Sequence, residues 1–275
     1  MDYVILDLEW NSGYARKTSG YLNEIIEFGA VKLNEQMEMV DRFSMLVRPV
    51  ITRRLNPTVR RLTGLTDLEL KKGVPFTQAF HRFRKFLGKS VLLSWSMSDL
   101  YTLEANCVYY FGSPKLLGVN EYADLQVYCQ DMLRLDSQNS LSLMSAAGQL
   151  GLVSGEKQTH RAADDAILAA GCMQKLYLRA ALLCYIRWVG ESFHEESARS
   201  IPLEELRTML RGIYFNCGQC GSRVIRTRRW ELKNKGFVSS FRCPHCDAFF
   251  DGRVSIRQKH DSIVTVKHIL PKEEE

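Results

Sequence analysis

An α/β architecture, a mixed sheet flanked by helices with a small cysteine-stapled module behind it, is the fold class this sequence predicts. Three observations predict it. Strand-like apolar runs cluster in the first fifty residues, helical patterns with single strands between them continue to about residue 190, and two Cys-x-x-Cys pairs stand in a separate basic stretch near the C-terminus.

Taken in order, Tyr3 to Leu8 is a short apolar strand, and Ile25 to Leu33 and Arg42 to Val47 follow with strand character across the polar turn Asn34-Glu35-Gln36. Three strands in close succession predict an antiparallel meander. Helical periods then mark Asn56 to Thr63, Pro75 to Leu87, Leu100 to Phe111, Leu141 to Leu150 and a long segment, Ala163 to Val189, with single strands at Val91 to Trp95 and Tyr122 to Val127. Residues 1–190 form the first domain. The polar stretch after Gly190 and a short helix Ile201 to Leu210 make 191–212 a connecting segment, and 213–275 form the cysteine module with an acidic tail, Lys272 to Glu275.

Composition narrows the class. An apolar fraction of 45% is enough for a full core and excludes wholesale disorder. The greasiest stretch, Ala166 to Val189, is broken by Lys175, Arg179 and Arg187, so no membrane span is expected. The N-terminus has no basic region ahead of its apolar run and reads as no signal peptide, giving a cytoplasmic protein. Net charge is +6, yet Arg211 to Lys259 alone holds eleven Lys/Arg against Glu231, Asp247 and Asp251. A basic module on a nearly neutral body points to a polyanionic partner.

Several acids invite chemistry. Asp7 and Glu9 stand at i and i+2 on the first strand and share one face. Two adjacent carboxylates repel unless a cation lies between them, so the pair is either a strand end emerging into water or an oxygen site for Mg²⁺. Asp99 follows a strand and opens a helix, where Ser96 and Asp99 have the spacing of a capping box. At the start of the last long helix, Asp165 aligns with Cys172, Leu176 and Leu183 on the apolar stripe, while Asp164 aligns with Lys175 on the polar edge. His160 falls in the preceding loop, either as a surface residue or within reach of the same site.

Asp7-x-Glu9, Asp99 and His160-x4-Asp165, in this order, resemble the DEDD superfamily of 3′-5′ exonucleases, histidine subgroup. Glu24-Ile25-Ile26-Glu27-Phe28-Gly29-Ala30-Val31, Leu62-Thr63-Gly64-Leu65-Thr66 and His160-Arg161-Ala162-Ala163-Asp164-Asp165-Ala166 add to the likeness, which covers roughly residues 1 to 185. Trp10 stands where many members carry Thr, and Ser94-Trp95-Ser96-Met97-Ser98-Asp99 replaces Asn-Ala-x-Phe-Asp, which is closer to the RNA-trimming branch. The resemblance implies a ribonuclease-H-like fold with two Mg²⁺ or Mn²⁺ ions on Asp7, Glu9, Asp99 and Asp165, His160 as general base, and nucleoside 5′-monophosphates as product. Trp10 is either a stacking platform for the terminal base or an ordinary half-buried aromatic.

Cys217-Gly-Gln-Cys220 and Cys243-Pro-His-Cys246, 22 residues apart, have the form of two zinc knuckles closing one structural Zn²⁺ site; His245 reads as a spacer. The module resembles a zinc ribbon. Between the knuckles, Arg226, Arg228, Arg229, Trp230, Lys233 and Lys235 interleave cations with an aromatic, as single-strand binders do; a solvated or protein-docking ribbon is the alternative. The reading is a metal-dependent exonuclease acting on single-stranded RNA or DNA, and the sequence names no protein partner. The rival class is a non-catalytic adaptor on a nuclease-like fold.

Overall fold

Side-chain alternation in the first strand builds the centre of the molecule. In β1 (Tyr3–Ala15), Val4, Leu6 and Leu8 enter one buried apolar cluster and Tyr3 and Ile5 enter another, as a strand covered on both faces requires. The protein is seen in a computed structural model that describes residues 1–18, 20–112, 116, 118–135, 140–153, 161–198, 209–233, 236–259 and 262–270. The chain divides into two units, residues 1–198 and 199–275.

In the first unit, β1, β2 (Gly20–Leu33) and β3 (Met39–Leu46) form the expected antiparallel meander, with β1 and β2 longer than their apolar cores announce. Helices α1 (Pro57–Thr63), α2 (Asp67–Lys71) and α3 (Phe76–Leu87) then carry the chain across to β4 (Val91–Ser94), which runs parallel to β1. After α4 (Ser98–Phe111), β5 (Glu121–Asp124) pairs parallel to β4. The completed sheet is mixed, in the order β3-β2-β1-β4-β5-β6, with β6 (Arg187–Trp188) antiparallel at its edge. Phe76, Phe80 and Phe83 of α3 and Leu100 and Leu103 of α4 fill the cluster on one face. The other face is covered by α5 (Leu125–Met132), α6 (Leu143–Gln149) and α7 (Ala162–Leu176), through Tyr128, Ala146, Ala169 and Met173.

Three expectations are corrected. The strand read over Tyr122 to Val127 ends at Asp124, whose side chain accepts the Val127 N–H at 3.2 Å and caps α5. The single helix read over Ala163 to Val189 stops at Leu176 and is followed by α8 (Arg179–Leu183) and β6. Tyr128 explains the break: its hydroxyl donates to the Leu176 carbonyl at 2.8 Å and accepts the Leu178 N–H at 2.9 Å, satisfying groups that helix continuation would otherwise use. Part of the segment read as connecting chain belongs to the first unit. Helix α9 (Glu191–Ala198) buries Phe193 fully in the first cluster, and His194 Nδ1 hydrogen-bonds the buried carboxylate of Glu104. The helix expected over Ile201 to Leu210 falls mostly outside the described residues.

The second unit is a sheet ordered β11-β10-β9-β7, with β8 also paired to β9. Its strands β7 (Ile225–Arg226), β8 (Glu231–Lys233) and β9 (Gly236–Arg242) lie between the two knuckles. The hairpin of β10 (Phe249–Lys259) and β11 (Ser262–Leu270) has no counterpart in the sequence reading. Phe215, Phe241 and Phe250 pack together as its core. No helix among the described residues is long and apolar enough to cross a membrane.

Candidate active site

The odd-numbered face of β1 that begins with Tyr3 and Ile5 continues into Asp7 and Glu9. Register places Asp7 opposite Gly29 and Glu9 opposite Glu27 on β2. A third carboxylate arrives from α7: ligand oxygens of Asp7, Glu9 and Asp165 lie within 4.8 Å of one another. Asp164, next to it, is exposed.

Two features of β2 bring α7 to this place. Gly29 leaves room for it, since a Cβ there would lie 2.0 Å from the Ala162 carbonyl carbon. Glu27, fully buried, accepts from Arg161 Nε at 3.0 Å and from its terminal nitrogen at 2.6 Å, gripping the residue before the helix. The Arg161 carbonyl in turn accepts the N–H groups of Asp164 and Asp165.

Asp99, in the first turn of α4, lies outside that three-oxygen group but close enough for its charge to act on Asp7. Its carboxylate accepts the Leu8 N–H at 2.9 Å and so is tied to β1, instead of forming a box with Ser96. The preceding turn is tight. Ser96 takes a left-handed φ of 79°, a conformation uncommon outside Gly, and its carbonyl accepts the Ser94 hydroxyl at 2.6 Å.

Electrostatics mark the group as a cation site. Burial, reinforced by the charges of Asp99, Asp165, Glu9 and Glu27, holds the Asp7 carboxyl well above the usual carboxylate range. Burial also pushes Glu9 up to about 8, with Asp165, Glu27 and Asp99 adding to it and Arg161 opposing. Asp99 is raised to about 7, again by burial first, although the N–H groups of Leu8 and of its own backbone pull the other way. Converging acids in a desolvated place are unfavourable as bare anions and suited to a hard divalent cation, whose ligands are oxygens. The donor set therefore fits Mg²⁺ or Mn²⁺.

The remaining sequence candidates sort differently. His160 and Lys235 lie outside the described residues. Trp10 is half-buried and packs against the cluster on the face away from Asp7 and Glu9. Three residues with no assigned role prove important. Glu27 and Glu24 were visible only as part of the second-strand motif, and Asp124, at the end of β5, adds a charge felt by Asp99. Its only signal was an acid between a strand and a helix.

In the second unit, the four Sγ atoms of Cys217, Cys220, Cys243 and Cys246 lie within 4.8 Å of one another. Two equivalent turns bring them together. Gly221 N–H donates to the Cys217 carbonyl and Asp247 N–H to the Cys243 carbonyl, and Gly221 and Asp247 both adopt left-handed φ, 73° and 62°. Backbone N–H groups of Cys220 and Gln219 lower the Cys217 thiol, and Ser222 brings Cys220 down to about 6. All eight cysteines are free thiols. Four sulfurs in this arrangement fit a closed tetrahedral Zn²⁺ site.

The basic candidates lie on the strands and turns between the two knuckles. Arg226 stacks over the ring of Trp230, 5.4 Å from its centroid. Trp230 itself is part of the ribbon core, against Phe241, with Nε1 donating to the Leu210 carbonyl at 3.2 Å. Arg228 and Arg229 are exposed, and Lys233 lies on β8. Two aromatics not singled out in the sequence are more open: Tyr214 lies between Arg223 and Lys267, at 4.8 and 4.5 Å, and Phe249 lies under Arg242.

Comparison with known proteins agrees with this geometry. The Exonuclease (RNase_T) family model matches residues 4–173. A DNA polymerase III of PolC type from Halalkalibacterium halodurans is 33% identical over 97 residues, which is 35% of this chain and 6% of that protein. Among solved structures, the nuclease domain of 3′hExo, a DEDDh family member bound to rAMP, superposes with a TM-score of 0.55 at 19% identity, covering 69% of this chain and 96% of its own. Cell-death related nuclease 4 (CRN-4) gives 0.53 at 20% identity, covering 64% of this chain and 63% of its own.

Proposed function

The chain belongs to the Exonuclease (RNase_T) family, and from that premise we propose that it hydrolyses single-stranded RNA or DNA from the 3′ end, releasing nucleoside 5′-monophosphates. The observation that carries this reading is the meeting of Asp7, Glu9 and Asp165 within 4.8 Å, with Asp99 tied to the same strand.

These four carboxylates would hold two Mg²⁺ or Mn²⁺ ions. Bound there, the ions supply Lewis acidity that makes water nucleophilic near neutral pH and offset the charge that builds on the phosphoryl oxygens. The chain's own residues do the rest. Glu27 and Arg161 keep Asp165 in register with β1, and the Leu8 N–H orients Asp99. Water adds to phosphorus as the bond to the 3′ oxygen of the preceding nucleotide breaks, and the imidazole of His160 takes the water's proton, a role suited to a pKa of ~6.5. Trp10, on the opposite face of the sheet, takes no part in holding the terminal base.

In the second unit Cys217, Cys220, Cys243 and Cys246 hold one structural Zn²⁺, and that unit's cations and aromatics bind single-stranded nucleic acid. A zinc site of reduced cysteines suits a cytoplasmic protein. The test is release of mononucleotides from matched RNA, DNA and duplex substrates carrying free or blocked 3′ ends, with Mg²⁺ or Mn²⁺ and with chelator. A chain that binds these strands and releases nothing under any metal favours the adaptor reading.

A further inference from the structure

Past Glu9 the same face of β1 continues through Asn11 and Gly13, and both are built to hold one loop. Asn11, buried, donates from Nδ2 to the Arg54 carbonyl and accepts the Asn56 N–H, each at 3.0 Å. At Gly13 a Cβ would meet Thr52 at 2.2 Å. The buried carboxylate of Glu24 accepts the N–H groups of Val50, Ile51 and Thr52, at 2.6, 2.9 and 2.9 Å, and the hydroxyl of Tyr110. Asp67 accepts the Leu55 N–H at 2.8 Å. Four backbone N–H groups of this loop are thus taken by the buried side chains of Asn11 and Glu24 and a fifth by Asp67, which holds the loop as a rigid platform.

That platform presents cations. Arg54, Leu55, Pro57, Arg60, Arg61 and Asp67 line a cleft of about 610 Å³. Asp67 is already occupied, by Arg60 at 2.6 Å and by the Leu55 N–H, and these contacts hold its carboxyl below the usual range. Arg54 and Arg61 remain as exposed guanidinium groups beside it. At ~3.3 Å of rise per residue, Asn11 lies roughly 7 Å beyond Glu9 along β1. The cleft is on the carboxylates' side of the sheet, because Asn11, on the same face of β1 as Asp7 and Glu9, holds the Arg54 carbonyl and the Asn56 N–H.

We infer that Arg54 and Arg61 bind the phosphodiester backbone of the substrate strand on the 5′ side of the scissile bond. This rests on the exonuclease reading above. A strand whose 3′ terminus lies at Asp7 and Glu9 has phosphates left only upstream, and paired planar guanidinium groups match phosphate oxygens better than lysine ammonium groups do. Because the two arginines meet phosphate, they add affinity and register for strands longer than two nucleotides and carry no base preference.

The full-length protein tests this by fluorescence anisotropy of a labelled single-stranded decanucleotide in Ca²⁺, across a salt series, together with initial rates on a dinucleotide and on the decanucleotide. Arg54→Ala/Arg61→Ala is compared with Arg82→Ala/Lys89→Ala, which removes the same charge from the α3 region, where Phe83 and Leu87 pack on the other face of the sheet. The first variant should weaken decanucleotide binding about 10- to 100-fold and flatten the slope of log K against log salt by about 1.4, at ~0.7 for each phosphate no longer neutralised. The gain in kcat/KM from dinucleotide to decanucleotide should shrink with it. Equal slopes in the two variants overturn the proposal, as does an equal fractional loss on both substrates, which would place the arginines at the reacting end. A wild-type chain that binds but hydrolyses neither substrate removes the exonuclease reading, while the slope comparison still decides whether the arginines hold phosphate.

Discussion

Gly29→Ala adds one methyl group on β2, outside the carboxylate cluster, and should cripple the enzyme. The new Cβ would sit 2.0, 2.1 and 2.3 Å from the Ala162 carbonyl carbon, the Ala163 nitrogen and the Ala162 oxygen, all backbone atoms, where ordinary contact begins at 3.4 Å. No rotamer relieves a clash with backbone, so the start of α7 must retreat by about 1.4 Å. Overpacking of this kind costs ~1–3 kcal/mol of stability, which is survivable in a unit with three buried clusters. The chemistry is less tolerant. Asp165 lies three residues into α7 and moves with it, and a misplacement of ~1 Å at a reacting centre costs on the order of 10²-fold in rate. The assay pairs hydrolysis of a 3′-labelled strand with thermal unfolding at rising Mn²⁺. The expected result is a folded protein with a modestly lowered Tm, a rate down by about 10²-fold, and a smaller rise in Tm with Mn²⁺ than wild type shows. A variant with wild-type rate and wild-type response to Mn²⁺ would refute the reasoning, because α7 would then not be positioned by contact at Gly29.

Other outcomes follow from the same geometry. Without metal, Glu9 and Asp99 have folded-state pKa values of about 8 and 7, above their unfolded values of ~4, so their contribution to stability is fully present below pH ~4 and is lost as pH rises through 7 to 8. Divalent metal replaces those protons, so the rise in Tm on adding Mn²⁺ should be larger at pH 8 than at pH 5.5; a pH-independent rise would count against the cluster as the metal site. Asp7→Asn and Asp165→Asn should abolish strand hydrolysis, whereas Asp164→Asn, on the exposed side of α7, should retain most of it in the same assay. A chain ending at residue 198 should fold alone by circular dichroism, and one ending at 190, which loses the buried Phe193, should be less stable by at least ~3 kcal/mol in urea. Cys217→Ser should leave hydrolysis of short strands intact while unfolding the ribbon, seen as loss of stoichiometric zinc and of its near-ultraviolet signal.

Much of the architecture was legible in the sequence because it is written in local periods. Alternation in β1 alone separates Val4, Leu6 and Leu8 from Tyr3, Ile5, Asp7 and Glu9, and the helical phase of α7 alone turns Asp165 inward and Asp164 outward. The two Cys-x-x-Cys turns are equally local, since each knuckle is closed by hydrogen bonds within a few residues. Tertiary contacts decided the rest. The end of α7 at Leu176 depends on the hydroxyl of Tyr128, 48 residues earlier, which no helical period can report. Asp99 has the spacing of a cap, but it is bound by the Leu8 N–H, 91 residues away, and so becomes part of the site. Glu27 and Glu24 sit side by side with other apolar-strand residues in the sequence; only the fold shows that one grips Arg161 and the other anchors the arginine-bearing loop. A sequence states which residues share a face of one element. Which element a buried carboxylate will meet depends on long-range packing, and in this protein that packing both assembles the carboxylate site and sets the basic cleft beside it.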